Sequence, residues 1–233
     1  MLRISALSHA AQRKIAYECG ENVFVADLDG KHAKKIAAGA LPEISPDGTR
    51  IAFNTEGDAK NPGPERRIAV ADVASGKVTV IKDIPSDNCF GPVWSPDGTQ
   101  LAFSIMAEKE WHLGLANADG SGFRFVKNAE LKSEAFGAPE WARDGKSIFC
   151  HDLENLYQID LDGNVLKKWE LSKILTDASM NSNDRLSVPP DGKALLMDVD
   201  CGAEHERKLG RSTTGDLQIR SRERKSSSRY RQE

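Results

Sequence analysis

Two histidines stand where an imidazole could bind a metal or move a proton: His112 directly follows Trp111, and Asp152 directly follows His151. Two imidazoles on one rim could hold a divalent cation, but a metal site needs at least a third ligand and no motif supplies one. Asp198-Val199-Asp200 and Glu204-His205-Glu206 offer oxygen donors of the kind calcium takes, and read equally as a solvated acidic stretch. Cys19, Cys89, Cys150 and Cys201 are far apart and form no Cys-x-x-Cys pair, which argues against a zinc module and against a disulfide framework. There is no Gly-x-Ser-x-Gly elbow, His-Glu-x-x-His pair, phosphate-cradling glycine loop or dinucleotide fingerprint. In a chain with 35 aspartates and glutamates, two carboxylates close in sequence carry no catalytic meaning. No catalytic residue, metal or cofactor is assigned, and the chemistry left is recognition.

The elements that must position these residues are written in a repeat. Asp-Gly occurs at Asp47-Gly48, Asp97-Gly98, Asp144-Gly145 and Asp191-Gly192, in steps of 50, 47 and 47 residues. One such pair marks only a tight turn, because Asp bonds its own backbone and Gly accepts a positive φ. Four at nearly constant spacing mark a repeated unit. Four residues before each Gly stand Ile44, Trp94, Trp141 and Val188, and three residues after it begin Ile51-Ala52-Phe53, Leu101-Ala102-Phe103, Ile148-Phe149-Cys150 and Leu195-Leu196-Met197. That pattern predicts strand, turn, strand. A second ladder lies between the first: Val23–Asp27, Ile68–Asp72, Leu113–Asn117 and Leu156–Asp160 each lead into another turn and a short β-prone run. Four short antiparallel strands per unit make one propeller blade. The first-strand tryptophans therefore read as core between blades and not as a ligand platform.

Trp94-Ser95-Pro96-Asp97-Gly98-Thr99-Gln100-Leu101-Ala102-Phe103 resembles the signature of the TolB-like, WD-repeat-like β-propeller family, and Ile44–Phe53 is a second good copy. Ala142-Arg143 and Pro189-Pro190 replace Ser-Pro in the third and fourth copies, and the first unit keeps Ile15-Ala16-Tyr17 without Asp-Gly. The expected fold is all-β: a propeller of four-stranded antiparallel blades, about four to five units over residues 1–200, incomplete against the six or more blades usual in the family. Residues 201–233 are read as a basic segment, with nine Lys or Arg against five Asp or Glu. It is read either as a disordered tail or as something other than the natural continuation of the repeat, because the fifth unit shows only its first hairpin.

In such blades the tight turns share one face, while the loops between second and third strands and the crossovers share the other, where binding residues concentrate. The candidates on that face are Asn54, Glu56, Asp58 and Lys60 in one loop, and Phe90, Trp111 with His112, Phe136, and His151 with Asp152 in others. The resemblance implies a non-catalytic scaffold for a protein or peptide partner. Two alternatives stay open: the gating propeller of a prolyl oligopeptidase-like or tricorn-like peptidase whose catalytic part lies elsewhere, and a propeller lyase or hydrolase on acidic oligosaccharides using His112 and His151. A net charge of −3 gives no global pull toward nucleic acid, and no apolar run is long enough to span a membrane. Self-association through an open blade edge is a further expectation. The family suggests the periplasm, whereas Met1–His9 lacks the apolar stretch of a secretory leader, which leaves the cytoplasm as the alternative.

Overall fold

The computed structural model describes residues 14–55, 65–127, 137–175, 178–181, 184–201, 211–214 and 217–223. Its period is set by the Ser-Pro-Asp-Gly turns. In the second copy Ser95 Oγ donates to Asp97 Oδ1 at 2.6 Å, and Thr99 donates to the same oxygen from its backbone N–H at 3.0 Å and its hydroxyl at 2.8 Å. Gln100 N–H in turn donates to Ser95 Oγ at 2.9 Å. The first copy repeats this set through Ser45, Asp47, Thr49 and Arg50. Concentrating donors on one oxygen favours the ionised carboxyl: Asp47 is held down at about 2, with the Ser45 hydroxyl as the largest cause. Gly48, Gly98, Gly145 and Gly192 all have φ between +65 and +71, the left-handed region that a side chain resists. The third and fourth copies keep the bond to Asp144 and Asp191 from Lys146 and Lys193 but lack the serine hydroxyl.

Five sheets follow in chain order. Blade one has β1 (Lys14–Cys19), β2 (Asn22–Asp27) and β3 (Lys34–Ala38). Blade two has β4 (Ala40–Ile44), β5 (Arg50–Asn54), β6 (Ile68–Asp72) and β7 (Val78–Val80), and blade three has β8 (Cys89–Trp94), β9 (Gln100–Ala107), β10 (Glu110–Asn117) and β11 (Arg124–Val126). Blade four has β12 (Gly137–Trp141), β13 (Ser147–His151), β14 (Asn155–Asp160) and β15 (Val165–Glu170), followed by the one-turn helix α1 (Leu171–Ile174). Blades two to four are antiparallel meanders, as the two ladders predict. The fifth sheet has β16 (Ala178–Ser179), β17 (Leu186–Ser187), β18 (Ala194–Cys201), β19 (Arg211–Thr214) and β20 (Leu217–Glu223). Its β18 and β20 run parallel, Leu195 opposite Ile219, where the repeat alone predicts neither β19 nor β20.

In blades two to four the second strand is buried on both faces, which is why it reads as a continuous apolar run and not an alternating one. Ile51 and Phe53 pack toward blade one, and Leu101, Phe103 and Ile105 toward blade two, while Ala52 and Ala102 face the following blade. Each alanine shares its interblade core with the next blade's tryptophan: Ala52 with Trp94, and Ala102 with Trp141. Between blades four and five the sizes exchange, and Phe149 shares its core with Val188. Leu196, at the position of Ala52 in blade five, is 38% exposed, and among the described residues no further apolar core lies beyond it. Trp94 Nε1 donates to Glu43 O at 2.9 Å and Trp141 Nε1 to Val93 O at 3.3 Å, so each ring is also pinned to the preceding inner strand.

Candidate functional site

The turn face is occupied by its own stitching. Arg50 lies over the Trp94 ring at 4.6 Å and donates to Gly98 O at 2.7 Å. Arg124 donates to Leu161 O at 2.6 Å, and Arg143 to the carbonyls of Val188 and Pro189. These three cations are engaged there by the next blade's backbone.

On the opposite face the structure joins Phe90 and Trp111 through a residue the repeat gives no hint of. The Arg66 guanidinium carbon lies 5.3 Å from the Phe90 ring centroid and 5.9 Å from that of Trp111. Its Nη2 and Nε donate to Asn88 Oδ1 at 2.8 and 3.2 Å. Its backbone N–H donates to Asp87 O and its carbonyl accepts from Cys89 N–H, both at 2.7 Å. The crossover that carries Asn88 is fastened to blade three by Ser86 Oγ to Met106 O at 2.6 Å and Met106 N–H to Asn88 O at 2.9 Å. Trp111 and His112, placed on a loop by the sequence, lie on β10, which is joined to β9 by the two-residue turn Glu108-Lys109, whose φ values of +54 and +71 fit a primed hairpin. Lengthening that hairpin is what carries Trp111 to the blade's end.

The other candidates do not join this cluster. His112 packs edge-on against Phe125 at 5.5 Å. Asn54 is buried: its Nδ2 donates to Cys89 O at 2.8 Å and its Oδ1 accepts from Gly91 N–H at 2.9 Å, which ties blade two to blade three. His151 is at 0% exposure at the equivalent repeat position in blade four. Burial lowers its pKa, against the opposing pull of the Asp184 backbone and the Asp152 carboxylate. Asp152 closes the β13–β14 turn by accepting from Asn155 N–H and Tyr157 OH, both at 2.7 Å. Glu56, Asp58, Lys60 and Phe136 lie outside the described residues. Among the described residues no three His, Cys, Asp or Glu side chains gather as metal ligands, so His112 and His151 find no third ligand there.

A second group missed in sequence lines the inner strands. Glu43 and Glu140 occupy the same repeat position, one residue before Ile44 and Trp141, where blade three has Val93. Burial pushes Glu140 up to about 7, opposed by the Val188 N–H that its carboxylate accepts at 3.1 Å and reinforced by Glu43. Burial raises Glu43 too, with Arg185 and Arg143 pulling the other way. Acidic residues from blades two and four thus feel cations of blades four and five, and Glu140 feels Glu43.

No protein-family model matches the sequence, and no curated protein does. Among solved structures the chain is similar to TolB from Acinetobacter baumannii, with a TM-score of 0.56 and 19% identity over 76% of this chain and 42% of that one. It is similar to a putative TolB from Agrobacterium tumefaciens, with a TM-score of 0.50 and 18% identity over 64% of this chain and 57% of that one. The propeller domain of the Trilobed protease from Pyrococcus furiosus, which has an open velcro topology, matches at a TM-score of 0.43 and 17% identity, over 57% of this chain and 42% of that domain. The chain thus matches 42–57% of the length of these relatives. No helix among the described residues is long and apolar enough to cross a membrane.

Proposed function

We propose that this chain, a TolB-like β-propeller, is a non-catalytic scaffold that binds a protein or peptide partner through its loop face. The observation that carries the reading is the division of labour between the faces. Arg50, Arg124 and Arg143 of the turn face are engaged in interblade hydrogen bonds, whereas Phe90 and Trp111 stand half-buried around a braced guanidinium on the loop face. Aromatic and arginine anchors of this kind dominate the energetics of protein recognition. The likeness to TolB supports the same reading, and with it a periplasmic compartment.

The test is a selection of displayed peptides on the immobilised full chain, followed by variants on each face. Phe90→Ala and Trp111→Ala are expected to weaken the selected binders by more than about tenfold, the scale of an interface hot spot. Lys77→Gln, an exposed change on the turn face, leaves them unaltered. Failure to select any binder, together with turnover of a substrate by the same chain, overturns the proposal.

A further inference from the structure

We infer that Arg66, held between Phe90 and Trp111, anchors a side-chain carboxylate of an acidic peptide segment in the partner. The inference deepens the loop-face reading and rests on it. Arg66 is fixed before any ligand arrives: both backbone polar groups are bonded to the crossover, and two guanidinium nitrogens are bonded to Asn88 Oδ1. Those bonds use Nε and Nη2 and leave Nη1 without a hydrogen bond among the described residues. The four ion pairs among those residues involve Lys14, Lys31, His32 and Lys173, so no described carboxylate neutralises Arg66. Arg67, the next residue and half-exposed, is likewise in none of these pairs.

Aromatic rings near a guanidinium strip water from it and stabilise its charge. The free edge of the planar fork then offers the geometry that a carboxylate matches, at a small entropic cost because the side chain is already ordered. A lysine on a flexible stem in open water would have neither property. Charge complementarity and pre-organisation together point to an acidic segment, with Phe90 and Trp111 taking the apolar part of the residue that carries the carboxylate.

The probe is fluorescein-labelled Gly-Glu-Glu-Leu-Glu-Glu-Leu-Gly amide, with counterparts carrying Gln or Lys in place of Glu, titrated against the full chain. The Glu peptide is expected to bind about tenfold or more tightly than the Gln peptide, the scale of a charge-assisted hydrogen bond. Arg66→Gln brings the two peptides together, Arg66→Lys restores part of the difference, and Lys77→Gln on the turn face changes nothing. Because Arg66 also braces the junction of blades two and three, each variant's thermal melt is taken alongside, and the charge-retaining Arg66→Lys separates lost charge from lost bracing. Equal affinity for the Glu and Gln peptides, no binding of the Glu peptide, or binding of it that survives Arg66→Gln overturns the inference. Equal Glu and Gln affinities that both fall in Trp111→Ala leave the loop-face reading standing. Glu binding untouched by changes at Arg66, Phe90 and Trp111 removes its support as well.

Discussion

His151 occupies the repeat position that Asn54 fills in blade two and Ser104 in blade three, and all three are buried at 2% exposure or less. An amide there satisfies a carbonyl and an N–H of the next blade at once. Burial depresses its pKa below the ordinary 6.5, so the unfolded chain binds the proton more readily than the folded one. The stability this group contributes is therefore present above 6.5 and lost as pH falls through the depressed folded value. Glu140 works the other way: its folded value, raised to about 7 from 4.5, makes its contribution fullest below 4.5 and lost as pH rises through 7. The two effects are separated by mutation. Urea unfolding of His151→Asn is expected to lack the acid-side loss that the parent shows as pH falls below 6.5. Parallel stability curves for parent and variant would exclude this role.

At the scale of the element, the exchange of sizes between neighbouring blades gives a prediction about packing. Phe149→Ala opens a hole beside Val188 and is expected to cost about 3–5 kcal/mol, and Val188→Trp alone overpacks the same core at about 1–3 kcal/mol. The double change recreates the Ala–Trp pairing found between blades two, three and four, and recovers part of the loss, with a coupling of about 0.5–3 kcal/mol in a double-mutant cycle. Strict additivity would mean that the two side chains do not share the space. The β9–β10 turn gives a second prediction. Glu108 and Lys109 hold positive φ without being glycine, so Glu108→Asn with Lys109→Gly is expected to stabilise by about 1 kcal/mol, seen as a raised Tm with Trp111 still in place. No gain would show that the side chains compensate elsewhere.

Across the whole molecule, each apolar core joins only successive blades, so cooperativity is expected to pass from neighbour to neighbour. Asn54→Ala strands a buried carbonyl and N–H of blade three at a cost of about 1–3 kcal/mol. In native-state hydrogen exchange that loss should speed exchange in β5 and β8 and leave β13 and β14 at parent rates. A uniform acceleration would instead indicate one global unit. By itself the sequence determined the blades: Asp-Gly turns at even spacing, apolar second strands and first-strand tryptophans are local signals repeated often enough to fix strand order and to assign Trp94 and Trp141 to the interblade core. Local signals cannot say which side of a strand meets a neighbouring blade. Only the tertiary structure decided that His151 and Asn54 are buried, that the charge of Glu43 bears on Glu140, and that Arg66 reaches across a blade junction to Phe90 and Trp111. Each of those facts depends on residues far apart in sequence being brought together by the curvature of successive blades, and no spacing along the chain encodes that distance.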